Sequence, residues 1–412
     1  MNPQQLINSD WSHVLSLLPA NLDESAKQCG ALLRKRKVHD AATLLRLGLA
    51  YSLGALSLRE TAAWAQAAEV VDFSDVALLK RLRKAADWFG WLVAHKLQQR
   101  STELAHLPPQ GRIRLLDATT VSRAGSAGTD WRLHVGFDLG RLVLDHVELT
   151  DVHGGETLTR LPVHPDEIIV ADRGYAHRAG IVALHTAGAR VVVRLNWQNL
   201  PLQDHAGHPV DILGVLRPLG LGEGCDLPVQ TVPDPKANLR AVPGRLVALR
   251  KSEAAAQAAR DKAKKQARKQ GKTLDARTLQ ACDYIFLFTT VAVQTLSARA
   301  ILELYRFRWQ IEMAFKNLKG ILFLDEMAAK DEALCRSFLL LKVLNALLLE
   351  DLRSRWASFS PWGYATPPSA EPLAAVSGLA ADLAYRSGLS PSLGGLGSPT
   401  TAQSALIVRH AA

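Results

Sequence analysis

The sequence predicts an α/β protein with a mixed five-stranded sheet and flanking helices, interrupted by a mostly β insertion and preceded by an all-helical N-terminal domain. Three observations support this prediction. Residues 1–106 show helical periodicity with few strand patterns, whereas strand patterns dominate from residue 112 onward. Glycine and proline then punctuate residues 200–283, where the regular pattern breaks before an apolar strand and a helix resume. At 412 residues the chain is too long for one small core, so we expect two or three domains.

The composition is that of a globular protein with a polyanionic partner. Hydrophobic residues make up 48% of the chain and charged residues 21%, and the net charge is +10. The four cysteines are widely scattered, so neither a zinc site nor a disulfide framework follows and a reducing cytoplasm is expected. No apolar run approaches the roughly 20 residues of a membrane span, so we expect no membrane partner.

A short helix, a turn and a basic helix follow one another within residues 57–84. Ser57 and Glu60 form a capping-box pattern that opens the short helix, and a break follows near Asp72. The second helix carries the cations Lys80, Arg81, Arg83 and Lys84. This outline is that of a helix-turn-helix reader of DNA. An ordinary solvated face explains the same cations equally well, and the sequence leaves both interpretations open.

The strand order after residue 107 defines the predicted sheet. Strand patterns occupy residues 112–121, 131–139, 142–149, 167–170 and 189–195, with a short helix at 156–161 and a longer one at 177–187. Three strands in a meander, then strand, helix and strand, is the order of a ribonuclease-H-like core. Asp117 closes the first strand and Asp172 follows the fourth. Since these two strands are neighbours in such a sheet, we expect their carboxylates to meet at one edge.

The remaining segments complete the predicted domain organisation. Short strand patterns at 229–232 and 245–250 lie in the insertion, and the Ala, Lys, Arg and Gln-rich run at 252–272 is either coil or a long exposed helix. An apolar strand at 284–291 returns the chain to the core. The tail beyond Ser358 is rich in Pro, Gly, Ser and Ala and is expected to be poorly ordered. The predicted divisions are therefore 1–106, then 107–199 together with 284–330, the insertion 200–283, and the C-terminal segment 331–412.

One helix is predicted from Ser297, which can cap it, to Gly320, which can end it. Its apolar stripe consists of Leu304, Ile311, Phe315 and Leu318. A polar stripe lies beside it within roughly 60° of arc and consists of Tyr305, Arg308, Glu312 and Lys319. A local ion pair on a solvated face explains Arg308 and Glu312 alone. It does not explain Tyr305, or why the polar stripe borders the apolar one, so we expect this stripe to face a cleft.

Glu312 could complete a cluster of three carboxylates with Asp117 and Asp172. Like charges held close together raise one another's pKa, and a hard divalent cation such as Mg²⁺ relieves that repulsion. Two such ions can activate an attacking oxygen and stabilise a leaving one during displacement at phosphorus. The alternative is that each aspartate is only a turn residue at a strand end.

These residues resemble a known family. Asp117, the run Asp172-Arg173-Gly174-Tyr175, and the polar stripe together look like the DDE transposases of bacterial insertion sequences. More narrowly, the stripe matches the signature Y-x2-R-x3-E-x6-K of the insertion-sequence-four group at all four positions. The resemblance covers roughly residues 110 to 325, and the group also carries a mostly β insertion before the glutamate.

The resemblance implies roles for individual residues. Asp117, Asp172 and Glu312 would bind two Mg²⁺ ions, with Mn²⁺ as a substitute. DNA contacts would be made by Tyr305, Arg308, Lys319 and Arg194, with a weaker one from Lys316 near the same edge. Tyr284 and Phe286 are candidates for the aromatic residue on which the group stacks a flipped base, although neither is the expected tryptophan.

The implied function is a DNA transposase that cuts and joins transposon ends by two-metal-ion phosphoryl transfer. Its partners would be transposon-end DNA, target DNA and a second copy of the chain in the DNA complex. It would act in the cytoplasm, on the nucleoid. Two alternatives stay open: a transposase-derived DNA-binding protein, and a metal-dependent nuclease without strand joining. The intact acidic triad disfavours the first, and the Tyr-Arg-Lys stripe has no obvious use in the second.

Overall fold

The computed structural model describes residues 11–357, except 54–55, 106–111, 124, 127, 142, 196 and 321–328. The N-terminal part is helical, as predicted. Its helices are α1 (Leu22–Gln28), α2 (Ala41–Leu53), α3 (Leu58–Ala67), α4 (Asp75–Lys84) and α5 (Ala86–Ala105). The predicted capping box at the start of α3 is confirmed, because Ser57 Oγ accepts the Glu60 N–H and the Glu60 carboxylate accepts the Ser57 N–H. Within the described ranges no helix is both long and apolar enough to cross a membrane.

One mixed sheet runs through the rest of the described chain. Its strands are β1 (Ile113–Val121), β2 (Trp131–Asp138), β3 (Val143–Asp151), β4 (Ile168–Ala171), β5 (Arg190–Arg194), β6 (Leu202–Gln203), β7 (Gly224–Thr231), β8 (Pro243–Arg250) and β9 (Tyr284–Thr289). They lie in the order β3-β2-β1-β4-β5-β9-β8-β7-β6. The β1–β4 and β4–β5 pairs are parallel, and the other pairs are antiparallel.

The prediction of five strands was wrong, because the sheet continues beyond β5 to nine strands. The buried β5 would otherwise end the sheet with an unpaired backbone edge. The apolar β9 pairs with that edge, and β8 and β7 extend it. Sequence patterns show which segments are strands, but they do not show pairing between strands so far apart in the chain.

The predicted insertion is mixed and not mostly β. It contributes strands of 2, 8 and 8 residues but helices of 5, 17 and 6 residues. These helices are α7 (Ile212–Leu216), α8 (Glu253–Lys269) and α9 (Ala276–Ala281). The basic run that the sequence left as coil or helix is α8, whose first turn is capped by Ser252 Oγ accepting the Ala255 N–H. The domain boundaries given above stay predictions.

The single helix predicted between Ser297 and Gly320 is two helices, α10 (Ala298–Arg306) and α11 (Trp309–Gly320). Ser297 caps α10 as expected. Between the two helices the backbone N–H groups bond three residues back, as in the 3.1 Å bond from the Arg308 N–H to the Tyr305 carbonyl. No glycine or proline marks this break in the sequence. The contacts of Arg308 with the sheet, described below, supply its physical reason.

Helices cover both faces of the sheet. α6 (Arg178–Thr186) packs on one face in a buried cluster with Leu116, and α10 and α11 pack on the other in a cluster with Leu115. α12 (Glu332–Ala357) packs against the N-terminal helices, where Ser337 Oγ donates to the Leu82 carbonyl at 2.6 Å. Side chains alternate between the faces of a strand, so Asp117 shares the face of Leu115 and points toward α11. The predicted poorly ordered tail beyond Ser358 lies outside the described residues.

Candidate active site

Asp117 and Asp172 lie side by side where β4 ends. The last residues paired between the parallel strands are Leu116 and Ala171, so the two aspartates are the next residues in register. The predicted strand at 112–121 is confirmed by β1, which continues to Val121, so Asp117 lies within its strand and does not close it. The cause is β2, which keeps pairing with β1 after β4 has stopped. Because β4 stops pairing at Leu116, the edge of β1 that follows is left without a strand partner beside Asp172.

The polar stripe of α10 and α11 contacts this edge. The Tyr305 hydroxyl donates to Asp172 Oδ1 at 2.9 Å, and Arg308 Nη1 donates to Asp117 Oδ2 at 3.2 Å. Arg308 Nη2 donates to Glu312, while the guanidinium lies 5.8 Å from the centre of the Tyr305 ring. The Arg308 side chain is only 17% exposed. All three predicted catalytic acids therefore lie within reach of one arginine or its tyrosine neighbour.

The two aspartates have opposite pKa shifts. Burial raises the pKa of Asp117 to about 6, helped by the charges of Asp172 and Glu156 and opposed by the Ala118 N–H and Arg308. Burial also acts on Asp172, but the Arg173 N–H, the Arg308 charge and the Tyr305 hydroxyl outweigh it and lower the Asp172 pKa. At this edge, nearby donors and cations therefore balance the negative charge of Asp172, whereas the charge of Asp117 is not fully balanced.

The donor atoms at this edge suit a hard divalent cation. Carboxylate oxygens are the ligands that Mg²⁺ and Mn²⁺ prefer, and a cation would compensate the charge on Asp117. As the side chains stand, no group of three or more potential ligands in the described ranges is arranged to hold a metal ion. Glu312 is held by Arg308, whose guanidinium supplies the positive charge between the acids. The acids fit the chemistry of such an ion, and Glu312 is paired with Arg308 instead of forming one group of ligands with the two aspartates.

The other cations predicted to contact DNA are Lys319, Arg194 and Lys316, and each has different surroundings. Lys319 Nζ donates to the Thr120 carbonyl at 3.4 Å, beside the strand that carries Asp117. Arg194 ends β5, and its charge helps to lower the pKa of Asp172. Lys316 is exposed on α11, and the hydrogen bonds and ion pairs of the described residues do not involve it.

A cavity of about 590 Å³ opens next to Asp172, between β5, β9, α8 and α9. Its described lining contains no acid but holds five cations and three aromatic residues: Arg173, Arg194, Lys251, Lys262, Lys272, Trp197, Tyr284 and Phe286. The resemblance predicts a role in DNA binding for Arg194, Tyr284 and Phe286, whereas no such role was predicted for the other five residues. The cations of α8 resembled an ordinary solvated face, and nothing in the sequence places Trp197 beside them. The Trp197 ring is covered by the Arg277 guanidinium at 4.7 Å.

Comparison with known proteins identifies the class to which this fold and site belong. The Transposase DDE domain matches residues 108–348, and the chain belongs to this family. The transposase for insertion sequence element IS421 of Escherichia coli is 38% identical over 359 residues, which are 86% of this chain and 96% of that protein. InsL, for insertion sequence element IS186A of Escherichia coli strain K12, is 38% identical over 358 residues with the same coverage.

The function of the chain follows from its membership of this family. The chain is a DNA transposase of the insertion-sequence DDE type, and the family implies dependence on a divalent metal ion. Among solved structures, the piggyBac transposase synaptic complex with hairpin DNA covers 92% of this chain and 80% of that chain. Its TM-score is 0.42 at 8% identity, which is too low to establish a shared fold.

Proposed function

We propose that this transposase cuts and joins transposon ends by phosphoryl transfer with two Mg²⁺ ions, for which Mn²⁺ can substitute. Asp117, Asp172 and Glu312 would hold the ions, and the strands β3-β2-β1-β4-β5 would form a ribonuclease-H-like core. One observation carries this proposal. Two aspartates lie in register at the end of a parallel strand pair, and Arg308 connects one of them to Glu312. Held by these acids, such ions would supply activation of the attacking oxygen and stabilisation of the leaving oxygen.

Arg308 and Tyr305 prepare the acids for this role. Tyr305 fixes one oxygen of Asp172 through its hydroxyl. Arg308 has five N–H donors in a planar fork that suits phosphate as well as carboxylate. On DNA binding, we infer that the guanidinium moves from the carboxylates to a phosphate of the transposon end. That exchange releases Glu312 toward Asp117 and Asp172.

The remaining cations bind the DNA backbone around the acids. Lys319 and Arg194 lie on opposite sides of the aspartate pair, on α11 and β5, and bind phosphates near the strand end. Lys316 lies further out on α11 and contributes less. The basic helix α4 and the capped helix α3 form the predicted helix-turn-helix reader of the terminal sequence.

The cavity beside Asp172 binds an unstacked base of the transposon end. Aromatic rings stack on any base, and cations around them hold the flanking phosphates. Trp197 joins Tyr284 and Phe286 as a candidate for the stacking residue, since all three line the cavity. The protein acts on the nucleoid in the cytoplasm, as a homodimer that holds two transposon ends.

The experiment that tests this function uses the purified full chain and a DNA duplex that ends in the element's own terminal repeat. With Mg²⁺ and a target plasmid, we expect strand cleavage at the repeat and then joined product. Cleavage without joining would indicate a nuclease, and binding without cleavage would indicate a DNA-binding protein. The joined product should disappear when Mg²⁺ is replaced by Ca²⁺, which binds oxygen ligands with different geometry.

A further inference from the structure

A fourth acid lies beside the aspartate pair. Glu156 follows β3, and its carboxylate packs directly against Gly174, two residues after Asp172. A Cβ added at Gly174 would lie only 1.9 Å from Glu156 Oε2. A side chain at position 174 would therefore displace this carboxylate, which gives a reason for glycine in the run Asp172-Arg173-Gly174-Tyr175.

The position of Glu156 is fixed by hydrogen bonds to the backbone that precedes it, and not by an ion pair of its own carboxylate. Arg132 Nη1 donates to the Gly154 carbonyl at 2.9 Å, and Arg160 Nε donates to the Gly155 carbonyl at 2.8 Å. Both arginines thus bind the two residues before Glu156. Within the described part of the chain, the half-buried Glu156 carboxylate makes no hydrogen bond or ion pair. A half-buried carboxylate left without a partner is unusual, because a charged group is costly to bury alone.

A second polar group beside it also lacks a partner. Tyr175 is fully buried, and its hydroxyl has no hydrogen-bond partner among the described residues. Burial raises the Tyr175 pKa, and the charges of Asp117 and Glu156 raise it further. Buried hydroxyls are nearly always bonded, so this unbonded one, three residues after Asp172, indicates a polar ligand beside it.

We propose that Glu156 and Tyr175 are positioning residues that bind the water shell of a divalent cation held by Asp117. This inference rests on the proposed function and extends its metal site beyond the three acids. Glu156 belongs to no group of three or more potential metal ligands among the described residues. Mg²⁺ gives up its waters reluctantly and keeps several of them when bound, so acceptors one water away contribute to its affinity.

The test measures Mn²⁺ binding to the full chain without DNA, by titration calorimetry at pH 7.5. We expect Glu156→Gln to weaken binding about tenfold, as outer partners of metal sites do, with an unchanged melting temperature. Glu303→Gln on α10 is the matched control, since it removes the same charge from an exposed pair with Arg299 and should leave affinity unchanged. Glu156→Asp, which keeps the charge, should recover part of the affinity.

A double-mutant cycle tests the contact itself. Gly174→Ala should weaken Mn²⁺ binding in the wild-type background, because the new methyl group displaces the Glu156 carboxylate. In a Glu156→Ala background it should have no further effect. An equal loss in both backgrounds would overturn the role of this contact.

Two further outcomes separate this inference from the function on which it rests. Equal Mn²⁺ affinity in wild type and Glu156→Gln would overturn the role of Glu156 and leave the proposed transposase mechanism intact. A wild-type protein that binds no Mn²⁺, either alone or with transposon-end DNA, would overturn both.

Discussion

The Arg308 guanidinium lies between two acids that the proposed mechanism assigns to metal ions, with its Nη1 3.2 Å from Asp117 Oδ2. A guanidinium keeps its charge at any physiological pH. The carboxylates around Arg308 raise its pKa still further, against the opposing effect of burial. Under the proposed mechanism, Arg308 and a divalent cation would compete for the same carboxylates, and DNA phosphates would compete for Arg308. Metal binding and DNA binding would then be coupled through this one side chain.

This coupling predicts that Arg308→Ala binds Mn²⁺ more tightly than wild type when DNA is absent. Removing a positive charge from beside Asp117 should raise affinity on the order of tenfold, or about 1.4 kcal/mol. Calorimetry on the free protein measures the change. Lys319→Ala is the control, because Lys319 bonds a backbone carbonyl and not an acid. Unchanged or weaker binding in Arg308→Ala would show that the guanidinium does not compete with the metal.

The same stripe should hold DNA phosphates. We expect Arg308→Ala and Lys319→Ala each to reduce the slope of log affinity against log salt by about one for transposon-end DNA. Each variant should fold normally yet lose strand transfer. Arg299→Ala removes an exposed cation from the same pair of helices, outside the stripe, and should keep both the slope and the activity. An unchanged slope with normal strand transfer in Arg308→Ala would mean that the stripe is an ordinary solvated face.

The opposite pKa shifts of the two aspartates predict opposite effects on stability. The raised pKa of Asp117, about 6, means that its ionised form destabilises the fold, and this cost grows as pH rises from its ordinary value near 3.8 to about 6. Asp117→Asn should therefore stabilise the protein at pH 7.5 by about 1–3 kcal/mol. The gain should shrink as pH falls below about 6.

Substitution of Asp172 should have the opposite effect on stability. Its lowered pKa contributes stability that is present above the ordinary value and is lost as pH falls through the folded value. Asp172→Asn should therefore destabilise the protein at pH 7.5. Urea unfolding of both variants at several pH values measures the difference. Shifts of the same sign at pH 7.5 would contradict the charge environments described for this edge.

The opposite end of β1 is fixed by a buried ionic cluster. Arg112 and Arg114 share Asp145, and they also bind Asp138 and Glu167. Asp145→Ala would leave two guanidinium groups short of a partner in a site where the Asp145 side chain is 1% exposed. We expect a loss of about 3–5 kcal/mol in the free energy of unfolding. The exposed Glu303→Ala should change it by less than about 0.5 kcal/mol. A small loss in Asp145→Ala would show that the cluster is not needed to hold β1.

Several features of the site could be predicted because they depend on local sequence. The order of strands along the chain predicted that Asp117 and Asp172 end up on neighbouring strands, and β1 and β4 are indeed paired. The Ser297 cap and the capping box at Ser57 follow from short-range hydrogen bonds, which a sequence displays directly.

Features that depend on contacts between distant segments could not be predicted. The break at Arg308 follows from its bond to Asp117, 191 residues away in the chain. The nine-stranded sheet follows from the pairing of β5 with β9 across the insertion. Glu156 stood in a segment predicted as a short helix, of which only Leu158–Arg160 is helical, as one 3-10 turn. Its position against Gly174 depends on two arginines that anchor the preceding backbone.

The proposed mechanism requires that Asp117, Asp172 and Glu312 act together as the metal-binding acids of the transposase. The most direct measurement compares Asp117→Asn, Asp172→Asn and Glu312→Gln in Mg²⁺-dependent cleavage of transposon-end DNA and in a gel-shift assay of the same DNA. We expect each variant to lose cleavage while it binds the DNA with affinity close to wild type, because affinity comes mainly from cations that contact phosphates. Glu312→Gln is the decisive variant, since the structure holds Glu312 on Arg308 with its side chain 53% exposed. Cleavage at the wild-type rate by Glu312→Gln would contradict the three-acid site.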